Sequence, residues 1–241
     1  MRTGYQKFGF IKMFDKMYYI NLDRRTDRNK LMVERIKSNP LLSSMKRYSA
    51  IDGKTIDYSK KKLLSKLFKV KEKDYELGKS LTEGLVGLHY TFLEIYKKNV
   101  MNDYGTILIC EDDCVFVDGF EKKIIEYWKN IPDDWDMIHF GYLTNGLVVK
   151  DKISDYFSTY EYKPGNTCFV VNLKASKIFT EHMKNPIMAV DSQMVHQIVG
   201  KGLINAYITN ENLCIQDETK SDTIPPSLAY VELEKQLFKD I

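Results

Sequence analysis

A short apolar run that ends in three consecutive acids constrains the fold of this chain more than any other feature. Residues 106–110, TILIC, are apolar and rich in β-branched side chains, which predicts a fully buried strand. Glu111, Asp112 and Asp113 follow directly, and a second apolar run begins at Cys114. Three adjacent carboxylates between two buried segments repel one another and resist removal from water unless a cation lies among them.

The position of these acids, directly after a strand, also suggests a binding site. Open α/β sheets bind ligands beyond the carboxyl ends of their strands. If the chain stays extended, Glu111 and Asp113 point to one side and Asp112 to the other, because side chains alternate along a strand. Ligand sets made only of oxygen suit Mg²⁺ or Mn²⁺, which accompany phosphate-bearing substrates. The alternative is a solvated acidic turn after a core strand, and the motif alone leaves both interpretations open.

The rest of the chain alternates between strand and helix patterns. Apolar periodicity predicts strands over residues 17–22, 46–50, 137–141, 167–171, 204–208 and 213–216. Helical periods occur around residues 31–36, 85–100, 120–131, 172–183 and 191–200. Residues 142–162 lack a clear period and fit either a loop or a small hairpin. With 241 residues and no internal repeat or linker, we expect one α/β domain over residues 16–241, preceded by a loosely held N-terminal extension over residues 1–15.

Turns follow the first two predicted strands, and the first of these turns carries residues that suit an anion. Arg24, Arg25 and Arg28 lie between the first strand and the first helix, where arginines beside a helix N-terminus could face a diphosphate. Exposed arginines are frequent at helix starts, so surface charge is the alternative. Asp52 and Gly53 form a turn signal after the second predicted strand.

Two further residues have both a structural and a functional interpretation. His89 lies beside the apolar stripe of its predicted helix, where a buried core histidine is at least as reasonable as a ligand. Asp191 precedes a helical apolar pattern and suits an N-cap, a position that does not exclude catalysis.

Charge and cysteine content narrow the function classes. The net charge of +3 and the lack of a basic block interleaved with aromatic residues argue against nucleic acid. The lysine-rich residues 60–73 favour a solvated helix face, with an anionic acceptor or a peripheral membrane contact as the alternative. The four cysteines lie in or beside apolar runs without a CxxC pair, which indicates buried free thiols in a reducing compartment rather than a disulfide or zinc site. Without a transmembrane-length segment or a signal-peptide core, we expect a cytoplasmic protein.

Eight sequence blocks in a fixed order resemble glycosyltransferase family 25, which includes lipopolysaccharide and procollagen galactosyltransferases. They span residues 18–223 and read YYINLDRRTDR, SAIDGKTID, LTEGLVGLHYTFLEIYKK, ILICEDDCVFVDGF, DDWDMIHFG, NTCFVVNLKASKIF, VDSQMV and CIQDETKSDT. The resemblance implies a GT-A fold, that is, one Rossmann-like nucleotide-diphospho-sugar transferase domain with a mixed central sheet flanked by helices. The usual family pattern Gly-Cys-x-Leu-Ser-His retains only Gly84 and His89, and its other positions hold Leu85, Gly87 and Leu88. We expect no second domain and no retention tail of the kind that the animal enzymes carry, and hence a microbial or viral origin.

The resemblance implies an inverting transfer of a hexose, with galactose from UDP-galactose expected, to a hydroxyl of a saccharide or hydroxylysine-type acceptor. Asp113 and Glu111 would bind Mn²⁺ or Mg²⁺, with Asp112 or Glu111 placed near the ribose or acting through water. Asp191 would be the general base. The expected donor-binding residues are Asn21, Leu22, Arg24, Arg28, Asp52, Gly53, His89, Glu111, Asp112, Gln216, Ser221 and Asp222. The alternatives are UDP-glucose or another sugar donor, or a non-catalytic binding module, which the altered residues before His89 suggest.

Overall fold

The computed structural model describes residues 13–56, 83–163 and 165–217. Within these residues ten strands form one mixed sheet: β1 (Lys16–Asn21), β2 (Lys46–Ser49), β3 (Thr106–Glu111), β4 (Cys114–Phe116), β5 (Met137–Gly141), β6 (Val148–Lys152), β7 (Phe157–Tyr162), β8 (Cys168–Asn172), β9 (Ala206–Thr209) and β10 (Cys214–Gln216). The helices are α1 (Thr26–Lys37), α2 (Glu83–Asn102), α3 (Phe120–Lys129), α4 (Leu173–His182) and α5 (Val190–Met194). A π-helical turn, Val195–Val199, continues α5. The predicted α/β fold, with a mixed sheet flanked by helices, is confirmed.

The strand order of the sheet is β2-β1-β3-β8-β5-β9-β7-β6. The first three strands, β2, β1 and β3, run parallel, and β8 pairs antiparallel with both β3 and β5. The short strands β4 and β10 pair antiparallel with each other, and β10 also pairs with β5. The three parallel strands therefore place their carboxyl ends, and the residues that follow them, along one edge of the sheet.

Side-chain alternation in the central strands builds a separate hydrophobic core on each face of the sheet. In β3, Ile107 and Ile109 belong to the core cluster that also contains residues of α2, α4 and α5. Leu108 and Cys110 belong to the other cluster, which contains residues of α1 and α3. Because successive strand residues point to opposite faces, a strand buried on both sides is apolar throughout. This burial explains the continuous apolar run ahead of the acids.

Several sequence predictions are resolved by the structure. Residues 142–162 contain the β6–β7 hairpin, the second of the two expectations for that segment. Asn172 caps α4, since its Oδ1 accepts a hydrogen bond from the Ala175 backbone N–H at 2.8 Å. The predicted extension is not loose where it is described: Met13 and Phe14 are buried, and the backbone N–H of Asp15 donates to the carbonyl of Thr106. The fold therefore includes residues 13–15.

Some predictions fall on residues that the structure does not describe. These are most of the extension (residues 1–12), the lysine-rich residues 60–73, and Ser221 and Asp222. None of the helices in the described ranges combines the length and the apolar character needed to cross a bilayer.

Candidate functional site

A cleft lies at the carboxyl ends of β1, β2 and β3. It is lined by Ile20, Asn21, Leu22, Arg24, Arg28, Ala50, Ile51, Asp52, Gly53, Lys54, Gly84, Leu88, Glu111, Asp112, Asp113 and Gln216. The cleft therefore occupies the position at which open α/β sheets bind ligands.

Two glycines bring the loop after β2 close to helix α2. A Cβ atom on Gly87 would lie 2.3 Å from the carbonyl oxygen of Ile51 and 2.6 Å from the backbone nitrogen of Gly53. A Cβ atom on Gly53 would lie only 1.6 Å from the carbonyl oxygen of Glu83. Any larger residue at either position would push the loop away from the helix. Glycine at these positions thus fixes one wall of the cleft.

The loop after β2 also carries an ion pair at the cleft. Arg24 donates through Nε to Asp52 Oδ2 at 2.8 Å, and the Asp52 side chain accepts from the backbone N–H of Lys54. The hydrogen bond from Arg24 lowers the pKa of Asp52. The carboxylate therefore stays ionised and holds Arg24 beside the cleft rather than leaving it as isolated surface charge.

The acids after β3 lie in a turn, so the predicted extended alternation ends at Glu111. Asp112 accepts from Asn21 Nδ2 at 2.6 Å and from Arg28 Nη1 at 2.8 Å. Arg47 donates through Nε to Asn21 Oδ1 at 2.8 Å, which directs the amide NH₂ of Asn21 towards Asp112. Asp112 therefore lines the cleft with a side chain that is already held by buried partners from β1 and α1.

The two oxygens of the Asp113 carboxylate differ in their hydrogen bonds to the described residues. Its Oδ2 accepts from Gln216 Nε2 at 3.0 Å and from Arg28 Nη1 at 3.4 Å. Its Oδ1 is buried, and no residue in the described ranges forms a hydrogen bond with it. Burial raises the pKa of the Asp113 carboxyl, while the bond from Gln216 and the charge of Arg28 oppose that rise. A buried carboxylate oxygen without a partner is costly, so it marks a position that a cation or donor would stabilise.

Glu111, Lys163 and Asp191 form a second group of charges beside the turn. Burial raises the pKa of Glu111 well above its usual range, and the charges of Asp113 and Asp191 raise it further. Lys163 is buried and donates to the Gly165 carbonyl, and burial lowers its pKa to about 8 against the opposing charges of Asp191 and Glu111. These interactions connect Asp191, which is distant in sequence, to the acids of β3.

Asp191 does not cap its helix. Ala189 occupies the N-cap position of α5, and Asp191 lies in the first turn. Its Oδ2 accepts from the backbone N–H of Gly165 at 2.6 Å. The carboxylate is therefore positioned by the loop between β7 and β8 rather than by its own helix.

The charge balance and donor set of the site suit a divalent cation. Four interacting carboxylates carry a formal charge of −4 when ionised: Glu111, Asp112, Asp113 and Asp191. Two neighbouring cations, Arg28 and Lys163, offset half of this charge. Hard oxygen ligands, and a buried Asp113 Oδ1 that no described residue hydrogen-bonds, match Mg²⁺ or Mn²⁺ chemistry. Arg28 and Lys163 leave a formal charge of −2 when all four carboxylates are ionised, which a divalent cation would offset.

The structure brings together most of the residues that the sequence singled out. Ten of them line the cleft: Asn21, Leu22, Arg24, Arg28, Asp52, Gly53, Glu111, Asp112, Asp113 and Gln216. His89 is not brought there, because it is buried in the core and its Nε2 lies 2.9 Å from the carbonyl oxygen of Met183. Arg25 pairs with Asp27 and does not line the cleft either.

Sequence reasoning missed Arg47 and Lys163. Arg47 lies in β2, and the local sequence pattern does not relate it to Asn21 of β1. The parallel pairing of the two strands brings the two side chains together. Lys163 follows β7 just before the Pro-Gly turn signal. A lysine at that point would ordinarily be exposed, and its burial depends on the distant acids.

Comparison with known proteins identifies the family. A family model described as "Glycosyltransferase family 25 (LPS biosynthesis protein)" matches residues 14–194. This chain belongs to glycosyltransferase family 25. The match begins just before β1 and ends within α5, and it includes both the acidic turn and Asp191.

Several family 25 relatives are animal proteins. Procollagen galactosyltransferase 2 of Homo sapiens is 29% identical over 131 residues, which are 53% of this chain and 21% of that protein. A glycosyltransferase 25 family member of Anopheles gambiae is 25% identical over 186 residues, or 74% of this chain and 31% of that protein. A Homo sapiens protein named inactive glycosyltransferase 25 family member 3 is 26% identical over 131 residues, or 53% of this chain and 22% of that protein. The matches thus cover less than a third of each of these relatives.

Proposed function

We propose that this family 25 chain is a metal-dependent, inverting glycosyltransferase of GT-A type that transfers a hexose from a UDP-sugar to a hydroxyl group. UDP-galactose is the expected donor, in keeping with the name of the human relative, procollagen galactosyltransferase 2. The single observation that carries the proposal is the buried Oδ1 of Asp113, which lies without a described partner at the carboxyl edge of three parallel strands. The acceptor in this proposal is a saccharide or a hydroxylysine-type side chain.

The cleft would bind the donor through groups from all three strand ends. Asn21 and Leu22 follow β1 and would line the nucleotide, with Arg24 and Asp52 beside them. A diphosphate is negatively charged, so the carboxylates after β3 would repel it unless a cation lay between them. Asp113 and Glu111 would hold Mn²⁺ or Mg²⁺ there, and the bound ion would stabilise the charge of the departing diphosphate.

Asp191 is the proposed general base. In an inverting transfer the acceptor oxygen bonds to the anomeric carbon as the bond to the diphosphate breaks, and the hydroxyl proton passes to a carboxylate on the opposite face of the sugar. The Gly165 N–H fixes one oxygen of Asp191, which orients the carboxylate. Lys163 holds the same loop through the Gly165 carbonyl and Asn166, so it would position Asp191 without touching the sugar.

The test is release of UDP from a panel of nucleotide sugars in the presence of Mn²⁺, first without an acceptor. Slow hydrolysis of one donor would establish both activity and sugar preference, and would separate UDP-galactose from UDP-glucose. Asp113→Asn should abolish release together with metal-dependent UDP binding. Asp191→Asn should lower turnover by more than about 100-fold and leave UDP binding intact. Asp155→Asn, at an exposed carboxylate, is the matched control and should behave as the parent chain.

A non-catalytic nucleotide-sugar-binding module is the second candidate. Leu88 lines the cleft where the family pattern usually has serine, and one relative carries the word inactive in its name. This candidate predicts UDP binding without release from any donor. If Mn²⁺ leaves both binding and hydrolysis unchanged, the proposed metal role is wrong.

A further inference from the structure

Four cysteines from four strands meet in the core beneath the acidic turn. All four are fully buried, and together they form what we term the cysteine cluster: Cys110, Cys114, Cys168 and Cys214. The Sγ atoms of Cys110, Cys114 and Cys168 all lie within 4.8 Å of one another, and those of Cys110 and Cys168 are 3.2 Å apart. The Cys214 thiol interacts with those of Cys114 and Cys168. These are all the cysteines of the chain.

The sheet topology explains why these residues converge although their sequence spacing shows no paired motif. Cys110 of β3 and Cys168 of β8 are directly opposite each other in antiparallel register. Cys168 and Cys214 both pair with Gly141 of β5. A Cβ atom on Gly141 would lie 2.7 Å from the Cys214 Cβ, so glycine at this position leaves room for the Cys214 side chain.

The arrangement suits a soft metal ion better than the other roles open to cysteine. In a tetrahedral zinc site, Zn–S bonds of about 2.3 Å separate the sulfur atoms by about 3.8 Å. The Sγ atoms of Cys110, Cys114 and Cys168 lie close enough together for such a site, and Cys214 lies beside this group of three. A disulfide between Cys110 and Cys168 would use only two of the four sulfur atoms. Arg35 donates to the Cys114 carbonyl at 3.1 Å, and its positive charge acts on the Cys114 thiol. Arg35 also pairs with Asp217, and its charge would offset part of the negative charge of a zinc–thiolate site.

We propose that the cysteine cluster binds one structural zinc ion that fixes the acidic turn. Cys110 directly precedes Glu111, and Cys114 directly follows Asp113, so the ion would hold the chain on both sides of the three acids. Cys214 lies two residues before Gln216, which donates to Asp113. The zinc site would therefore fix the positions of the cleft carboxylates without contacting the donor. It uses sulfur ligands on one side of the turn, whereas the proposed Mn²⁺ site uses oxygen ligands on the other, and it does not depend on the proposed transferase activity.

The test measures the zinc content of the full chain, purified in a reducing buffer without chelator. We expect about one zinc ion per chain, and cobalt-substituted protein should show the visible absorption of tetrahedral cobalt bound by thiolates. Cys114→Ser and Cys168→Ser should each lower the zinc content at least about tenfold. Asp113→Asn should keep its zinc, because its carboxylate is not a ligand of this site; loss of zinc from this variant would overturn the assignment.

Measurements on the parent chain decide the question if the serine variants do not fold. When the thiols are modified stepwise with an organomercurial, zinc should be released in proportion to the number of thiols modified. A zinc-sensitive dye measures the released zinc. Zinc below about a tenth of an equivalent, with four thiols titrated in denaturant, would show that the cysteine cluster is ordinary apolar packing. Two titratable thiols without zinc would indicate a disulfide instead. Zinc retained after all thiols are modified would place the ion elsewhere, and each of these three results overturns the proposal.

Discussion

Replacement of Arg28 by methionine tests whether a buried ion pair holds the acidic turn together. The Arg28 guanidinium donates to Asp112 at 2.8 Å and to Asp113 at 3.4 Å. Methionine fills much of the same volume without charge, so Arg28→Met removes the cation and leaves two buried carboxylates facing each other. The expected consequence is a large loss of stability that comes from electrostatics rather than from a cavity.

The exposure of the partners decides the size of the effect. The side chains of Arg28, Asp112 and Asp113 are 7%, 10% and 6% exposed, so the range for buried pairs applies. Removing one partner of such a pair costs about 3–5 kcal/mol, whereas an exposed pair is worth about 0–1 kcal/mol. Because the cleft admits water near the turn, we expect about 3 kcal/mol. For a chain of this length that corresponds to a fall in Tm of roughly 6–12 °C.

Urea unfolding followed by tryptophan fluorescence is a suitable assay, since Trp128 and Trp135 both pack against the core below the sheet. Lys152→Met is the matched control: it removes the cation of a pair whose side chains are 64% and 90% exposed, and its stability should change by less than about 0.5 kcal/mol. Adding Asp112→Asn to Arg28→Met should recover about 1–2 kcal/mol, because one of the two uncompensated charges is then gone.

The pH dependence gives a further check on the same variant. A carboxyl whose folded-state pKa lies above its unfolded value stabilises the folded chain at low pH, and this contribution is lost as pH rises through the folded pKa. The pKa values of Glu111 and Asp113 are both raised, and loss of Arg28 should raise that of Asp113 further. The loss in free energy of unfolding caused by Arg28→Met should therefore become smaller towards acidic pH. The reasoning would be refuted if Arg28→Met lost no more stability than Lys152→Met, or if its loss of stability did not depend on pH.

Three other substitutions probe the surroundings of the site. Gly87→Ala should destabilise the chain by about 1–3 kcal/mol and weaken UDP binding, because its Cβ would collide with the Ile51 carbonyl; tight UDP binding in a calorimetric titration would contradict this. His89→Leu should lower the Tm, because it removes the hydrogen bond to the Met183 carbonyl, and it should leave the Kd for UDP unchanged. A higher Kd would show that His89 contributes to donor binding. Between about pH 8 and pH 10.5 the unfolded state binds more protons at Lys163 than the folded state, so the free energy of unfolding rises with pH. Lys163→Met should flatten this rise. An unchanged pH profile from urea titrations would show that Lys163 has an ordinary pKa.

The central strand and its acids could be predicted because both depend on local sequence. The apolar run of β3 is buried on both faces, and this pattern is visible without knowledge of its neighbours. The resemblance to family 25 added the residues after β1 and β2, and the parallel pairing of β1 with β2 and β3 places them at the same edge. The hairpin of β6 and β7 was harder to predict, since every residue of β6 is exposed and its apolar pattern is weak.

The remaining features depend on contacts between distant segments. Arg47 acts on Asn21 only through the pairing of β1 with β2, and Lys163 is buried only because Glu111 and Asp191 lie nearby. For Asp191 the sequence suggested a cap, but the loop at Gly165 supplies the partner instead. The cysteines converge because β8 lies between β3 and β5 in the sheet. The spacing of the cysteines in the sequence does not predict this strand order.

The central claim is that a divalent cation beside Asp113 allows a nucleoside diphosphate to bind in this cleft. Calorimetric titration of UDP into the chain, with Mn²⁺ and then with EDTA, tests it most directly. We expect saturable binding that requires Mn²⁺ and is lost in Asp113→Asn but kept in Asp155→Asn. Equal binding with EDTA, or binding unaffected by Asp113→Asn, would contradict it.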